Sequence, residues 1–377
     1  MSDIISYLTK IRFGSAAISD LQEELSLLGV SKPMLITDKG LVAAGLVDEV
    51  IDKAALPAGI PVFSETPENP TEEAVEAALE LFRAEGADGI VALGGGSSID
   101  LAKGVALLTT HKPPLEQYAA IYGGASKIGK DVAPLIAVPT TAGTGSEVGR
   151  ATLLTLRNGR KLGFVSPHLI PDVAICDPSL TLSLPSGLTA ATGMDAISHC
   201  IETYLSPKLN PVAEAIALDG LARGWKWLPV AFRDGDNLEA RSEMMMAALQ
   251  GALAFQKGLG AIHSMSHALG GMKEYRLHHG TLNAVLLPTV LRFNEPVCAE
   301  KFARMREVMG LGADTALDAA FANFNRTFDL PDSLSEMGVR EESIEEAARW
   351  SEEDHSTPSN PRKATAADFA EMMRDAL

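Results

Sequence analysis

The sequence predicts an α/β unit built on a parallel sheet, followed by an all-helical unit. Short apolar runs alternate with helix-period stretches up to about residue 185, and almost no strand pattern appears beyond it. The length of 377 residues is about 2.5 times a typical domain of ~150 residues, which favours two domains. The expected division is 1–184 and 185–377.

Residues 33–37, 89–93 and 135–138 read as buried strands. Between them a helix is expected over 71–83, opened by Asn69, Pro70 and Thr71 with Glu in the first turn. Strands separated by helices point to a mostly parallel sheet covered on both faces. From Leu184, Pro185 and Ser186 onward, Ala/Leu/Met-rich segments at 189–205, 211–232, 238–257 and 260–271 predict helices. The polar run 351–363 (SEEDHSTPSNPRK) reads as a surface loop before a last helix.

Composition narrows the function. Lys plus Arg is 32 and Asp plus Glu is 49, a net charge of −17, which disfavours nucleic acid and anionic membranes as partners. Hydrophobic residues at 46% against 21% charged suit a globular chain, and aromatics at 5% leave the core to aliphatic side chains. No apolar stretch approaches the ~18 residues a bilayer requires. The opening MSDIISYLTKIRFG lacks a signal-peptide pattern. Cys176, Cys200 and Cys298 are too few and too scattered for a disulfide framework. A cytoplasmic protein is expected.

Three features gather where parallel strands end. In GIVALGGGSSIDLAK (89–103) a strand runs into Gly94, Gly95, Gly96, Ser97 and Ser98 and then a helix. Glycines there let a phosphate approach the backbone, and the helix start supplies free N–H groups. A tight strand-to-helix turn explains the same residues equally well, and the spacing is not G-x-G-x-x-G. Asp38 follows the first strand, where it would accept from a ribose and repel a 2′-phosphate, or simply cap a helix. The run PTTAGTGSE (139–147) offers a second cradle of hydroxyls and glycines.

The helical half holds a different chemistry. Five of the eight histidines fall between 199 and 279. Asp195 and His199 are four apart, as are His263 and His267, so each pair stacks on one helix face, about 40° apart around the axis. His279 stands at the expected start of another helix. One carboxylate and three imidazoles suit Fe²⁺ or Zn²⁺. A single i,i+4 pair is as easily a surface hydrogen bond; its recurrence on neighbouring apolar helices favours a metal site.

Taken together, GGGSSIDLAK (94–103), PTTAGTGSE (139–147), PDVAICDPSL (171–180), GMDAISHCIE (193–202), GLGAIHSMSHALG (258–270) and HHGTLNAVLLP (278–288) resemble the iron-dependent (group III) alcohol dehydrogenase family. The resemblance covers nearly the whole chain, from Asp38 to Asn360, Pro361 and Arg362. It implies an N-terminal Rossmann-like dinucleotide-binding domain and a C-terminal helical bundle, the dehydroquinate synthase-like fold, with the active site in the cleft between them. It implies Asp195, His199, His263 and His279 as ligands of Fe²⁺, with Zn²⁺ the alternative. It places His267 near the nicotinamide as a proton relay. It makes Asp38, Asn69, Gly95, Gly96, Ser97, Asp100, Thr140, Thr141, Thr144 and Lys161 the NAD contacts. The expected reaction is hydride transfer between NAD and a small alcohol or its aldehyde or ketone, with the metal as Lewis acid on the substrate oxygen. A homodimer or larger homo-oligomer is expected.

One departure from the family pattern bears on substrate. Gly149, Arg150 and Ala151 follow the shared Gly145, Ser146, Glu147 and Val148. Arg150, with Lys273, Arg276 and His278, would suit the carboxylate of a hydroxy acid or of a maleylacetate-type substrate; all four are equally explained as solvated surface cations. A dehydroquinate synthase-like lyase would need a denser Lys/Arg cluster. The non-catalytic alternative is a helical module that binds metal and nucleotide without turnover. Cys200, Met244, Met245 and Met246 read as core, Trp225 and Trp227 as packed between helices, and His111 and His168 as solvated.

Overall fold

The computed structural model describes residues 9–57, 59–272 and 274–377. The described chain divides into two compact units. One comprises residues up to 141 together with 146–182, the other 183–377 together with 142–145.

The first unit contains β1 (Lys10–Phe13), β2 (Pro33–Ile36), β3 (Val62–Phe63), β4 (Gly89–Gly94), β5 (Leu135–Pro139), β6 (Ala151–Thr155), β7 (Lys161–Val165) and β8 (Val173–Cys176). All except β6 and β7 form one sheet in the order β1-β8-β5-β4-β2-β3, and every pairing in it is parallel. β6 and β7 make a separate antiparallel hairpin. Successive residues of a strand point to opposite faces. Thus Met34, Ile36, Ile90 and Ala92 join one apolar cluster, while Leu35, Val91, Leu93 and Ile136 join another. Helices α1 (Leu21–Leu27), α2 (Lys39–Ala43), α3 (Leu46–Lys53), α4 (Glu72–Ala84) and α5 (Gly96–Leu108) connect the strands. Leu21, Leu25, Val47 and Val50 cover one face, and Val75, Leu79 and Val105 the other. Every position of β2, β4 and β5 is buried, which is why these strands read as unbroken apolar runs.

The second unit contains α6 (Ser186–Leu205), α7 (Pro211–Arg233), α8 (Leu238–Ala254), α9 (Ala261–Gly270), α10 (His279–Asn294), α11 (Ala299–Val308), α12 (Leu317–Arg326), α13 (Ile344–Glu353) and α14 (Ala366–Asp375). α6 packs against α7, α8 and α10. Caps set the boundaries: Asn210 accepts from Ala213 N, Asn237 from Ala240 N, and Thr365 with Asp368 forms a capping box. Pro288 lies inside α10, where its missing N–H frees the Ala284 carbonyl; Asn325 Nδ2 donates to that carbonyl at 2.7 Å. Trp225 stacks on Phe324, joining α7 to α12.

Two sequence expectations need correction. The 351–363 run is not simply a surface loop. Ser351, Ser356, Ser359 and Asn360 are buried there, and the stretch includes the end of α13 and a short helical turn over Thr357–Ser359. Two of its polar side chains bond the backbone instead of water: Thr357 Oγ1 donates to Ser351 O at 2.6 Å and Asn360 Nδ2 to Arg362 O at 2.6 Å. His111 is half-buried rather than fully solvated, and its Nε2 accepts from Gly129 N at 2.9 Å. His168 is exposed and Cys200, Met244 and Met245 are buried, as expected. Among the described residues no helix is long and apolar enough to cross a membrane.

Candidate metal centre and cofactor loops

In the helical unit, the i,i+4 spacing on α6 brings Asp195 and His199 to one face, with His199 Nε2 3.6 Å from Asp195 Oδ1. His263, from the first turn of α9, places its Nε2 3.6 Å from the same oxygen. His279, the first residue of α10, does the same at 3.6 Å. The approach of α10 depends on Gly280: a Cβ there would collide with the Ala191 carbonyl on α6. One carboxylate oxygen is therefore ringed by three imidazole nitrogens. Tetrahedral zinc with bonds of ~2.0–2.1 Å sets its donors roughly 3.3 Å apart, so small adjustments would close this set on a cation. Asp195, His263 and His279 alone already have donor atoms within 4.8 Å of one another.

The electrostatics fit a cation as well. Burial opposes charge on the Asp195 carboxyl, yet His199, His279 and His263 together hold it far below the usual carboxylate range. Burial pushes His199 down to about 4. Burial also opposes charge on His263, but Asp195 and Glu202 overcome it and raise the imidazole to about 9. A pocket with two carboxylates within reach of His263 demands positive charge, and a divalent ion answers that demand.

Two residues that the sequence reading missed orient these donors. Glu202 Oε2 accepts from His263 Nδ1 at 2.7 Å, leaving Nε2 for the cation. The same carboxylate accepts from Ile262 N at 2.6 Å and Gly260 N at 3.0 Å, so it also holds the start of α9. Asn283 Nδ2 donates to Asp195 Oδ1 at 2.7 Å and lies 3.4 Å from His263 Nε2 and 3.3 Å from His279 Nε2. Its Oδ1 is buried without a hydrogen-bond partner. Both had a signal: Asn283 lies four residues after His279, and Glu202 three after His199 and seven after Asp195.

His267 stacks on His279 with ring centroids 5.5 Å apart, and its Nδ1 lies 3.1 Å from Asp354 Oδ2. Burial lowers its basicity despite Asp354. Asp354 was the other functional candidate hidden in the polar run.

In the α/β unit, β2, β4 and β5 are neighbours, so the residues after them share one edge of the sheet. Asp38 follows β2 and caps α2, accepting from Leu41 N at 3.0 Å. Gly95 and Gly96 open α5, with no side chain capping it. Gly94 carries φ +152°, and a Cβ there would meet Ser98 Oγ at 2.5 Å. Thr140 and Thr141 follow β5, while Thr144 belongs to the helical unit. Ser97 Oγ donates to Glu68 O at 2.5 Å, and Lys161 Nζ to Asn69 Oδ1 at 2.8 Å. Asp100 accepts from Ser146 Oγ at 2.6 Å and Leu153 N at 3.0 Å, so both of its oxygens serve the protein itself.

The fully buried Lys103 donates to Ser146 Oγ, Gly149 O and Ala151 O at 2.9, 2.9 and 2.8 Å, pinning residues 146–151 to α5. Burial lowers its ammonium to about 8, against the pull of Asp100 and Glu147. Arg150, in that pinned segment, is exposed, as are Arg276 and His278; Lys273 lies outside the described residues.

Comparison with known proteins agrees with this chemistry. The description "Iron-containing alcohol dehydrogenase" matches residues 9–178, and "Fe-containing alcohol dehydrogenase family, C-terminal" matches 189–377. The chain is 52% identical to 4-hydroxybutyrate dehydrogenase of Cupriavidus necator, covering 99% of each. It is 37% identical to NAD-dependent methanol dehydrogenase of Bacillus methanolicus, covering 97% of each. Among solved structures, a 1,3-propanediol oxidoreductase superimposes with a TM-score of 0.93 at 39% identity, covering 100% of both chains. With sequence, fold and donor chemistry in agreement over nearly its whole length, the chain belongs to the iron-containing alcohol dehydrogenase family.

Proposed function

We propose that the chain interconverts a small alcohol and its aldehyde or ketone with NAD and a divalent metal, Fe²⁺ or Zn²⁺. The observation that carries this is Asp195 Oδ1 with three imidazole nitrogens each 3.6 Å away. When bound, the metal supplies Lewis acidity at the substrate oxygen and NAD accepts the hydride. Asp195, His199, His263 and His279 would hold the metal, with Glu202 and Asn283 orienting them. With its Nδ1 proton donated to Asp354, His267 presents the lone pair of Nε2, where it takes the alcohol proton.

Asp38, Asn69, Gly95, Gly96, Ser97, Thr140, Thr141, Thr144 and Lys161 would bind NAD, the pyrophosphate at the start of α5 and the ribose near Asp38. A carboxylate at position 38 disfavours NADP because it repels a 2′-phosphate. Asp100 contributes by fixing this region, since its oxygens are engaged by Ser146 and Leu153.

The relative at 52% identity favours a second, narrower reading: an ω-hydroxy acid as substrate, its carboxylate held by Arg150. NADH formation measured with Fe²⁺-loaded enzyme tests both readings. Turnover of short alcohols that disappears on chelation and returns with Fe²⁺ supports the dehydrogenase; NADH binding without turnover of any alcohol or aldehyde refutes it. For 4-hydroxybutyrate over n-butanol, kcat/KM should favour the acid by about tenfold or more, the worth of a charge-assisted hydrogen bond, and Arg150→Ala should remove that advantage. A preference for butanol would sink the narrower reading alone.

A further inference from the structure

The chain places a second set of metal-ligating atoms beside the first. We propose that His267, Asp354 and His355 form a separate divalent-cation site suited to Zn²⁺, and that filling it silences His267. The two imidazoles come from different elements: His267 from α9, and His355 from the turn after α13. His267 Nδ1 lies 3.1 Å and His355 Nδ1 3.5 Å from Asp354 Oδ2. Those separations match the roughly 3.3 Å between donors around tetrahedral zinc. One donor atom from each residue lies within 4.8 Å of the other two, so a modest swing of His355 closes the set. His355 has room for that swing, its side chain being 34% exposed.

The site is held from behind. Asp354 Oδ1 accepts from Ser356 N at 2.8 Å, which leaves Oδ2 facing the two rings. The imidazoles stack with centroids 5.4 Å apart and planes 14° from parallel, so both edges lie alongside the same carboxylate. Two nitrogens and one oxygen leave a fourth position for water, the arrangement of an accessible zinc site.

Filling the site has a defined chemical consequence. A cation on Nδ1 of His267 requires the ring proton to sit on Nε2, the opposite tautomer from the one that donates to Asp354. No proton need be released; it changes nitrogen within the ring. Nε2 then has no lone pair with which to accept the alcohol proton. Zn²⁺ in excess of the first site should therefore inhibit. Only this effect on turnover rests on the alcohol dehydrogenase reading; the number of metal ions bound does not.

The test is to strip the full-length chain with a chelator, equilibrate it with Zn²⁺ alone and count bound zinc per chain after dialysis. Wild type should bind two, and His355→Ala one. His263→Ala should also bind one, now at the second site, and His263→Ala with His355→Ala none. One zinc on wild type, or two on His355→Ala, overturns the site. Asp354→Asn should match His355→Ala, with circular dichroism confirming that both are folded. With zinc beyond one per chain, wild-type turnover should fall roughly 100-fold, the scale of a lost general base, while His355→Ala keeps its rate. Two zinc ions on wild type, with no alcohol turned over even at one metal ion per chain, would leave the second site standing and defeat the dehydrogenase reading.

Discussion

Helix α6 carries two buried polar clusters that the chain treats in opposite ways. Midway along it, Asp195 and His199 join His263 and His279 in a set whose donor atoms converge on a point where the described residues supply no ammonium or guanidinium. At its C-terminal end the carbonyls of Thr203, Tyr204 and Ser206 also converge, but there Lys257 Nζ fills the centre at 3.2, 3.2 and 2.6 Å and pairs with Glu214 at 2.7 Å. Lys301 adds bonds to Tyr204 O and Glu214. Both clusters are buried and both satisfy a concentration of negative partial or full charge. The Lys257 cluster brings its own ammonium and is architecture: it caps a helix whose end carries the negative pole of the dipole. The Asp195 cluster gathers donors that a cation from outside could complete, which makes it the candidate site.

The largest effect that would break this contrast comes from a donor. His263→Ala should lower metal affinity at the Asp195 set by more than the roughly 10–100-fold typical of an orienting partner, so that elemental analysis finds one ion fewer per chain than in wild type. Turnover should fall with metal content. A variant that keeps a full complement of metal would show that His263 is not a ligand.

Glu202→Gln should act more gently. The amide can still accept one of the backbone hydrogen bonds from α9 but no longer favours a donating Nδ1 on His263 as strongly. Metal affinity should drop roughly 10–100-fold. Unfolding measured on the metal-free chain should change much less than the metal titration, because the residue is replaced by its isostere. Equal loss in both measurements would assign Glu202 to the architectural class with Lys257.

Lys257→Met tests the other end of α6. It should destabilise the chain by about 1–3 kcal/mol, the cost of leaving buried carbonyls underbonded, with Lys301 limiting the loss. Metal bound per folded chain should stay at the wild-type value. Denaturant unfolding beside metal analysis separates the two quantities. Loss of metal at unchanged stability would erase the distinction drawn here.

The same contrast explains what was legible in the sequence. The parallel sheet announced itself because β2, β4 and β5 are buried at every position and so lack any polar alternation. Helices α6 to α9 were readable from composition and turn residues, since α7 and α8 open at Asn210 and Asn237. Asp195 and His199 stood out as candidates because their spacing is local. Glu202, Asn283 and Asp354 did not, although two share the same i,i+4-type spacing with a candidate donor. Their roles depend on partners 61, 88 and 87 residues away, and pairings over such distances leave no periodic trace. Residues 351–363 misled for a related reason: polarity marks a need for hydrogen bonds, and the backbone met that need as readily as water.

Glu24 sharpens the comparison with another buried carboxylate and the smallest expected effect. Its side chain is 1% exposed, like that of a site residue, yet Lys10 and Arg12 on β1 each reach it at 2.6 Å. It is therefore satisfied from within the chain, as Lys257 is. Burial alone would raise its carboxyl, but the bonds from Lys10 and Arg12 outweigh that and hold it below its ordinary 4.5. A carboxyl whose value is depressed by folding contributes stability that is fully present above the unfolded value and is lost as the pH falls through the folded one. Acid unfolding of wild type should therefore steepen below pH 4.5, and Glu24→Gln should flatten that limb while leaving metal content at neutral pH unchanged. Added salt should weaken the contribution, because Lys10 and Arg12 are partly exposed at 47% and 32%. Titrating unfolding against pH with and without salt distinguishes this self-satisfied carboxylate from Asp195, whose contribution should instead follow the concentration of divalent metal.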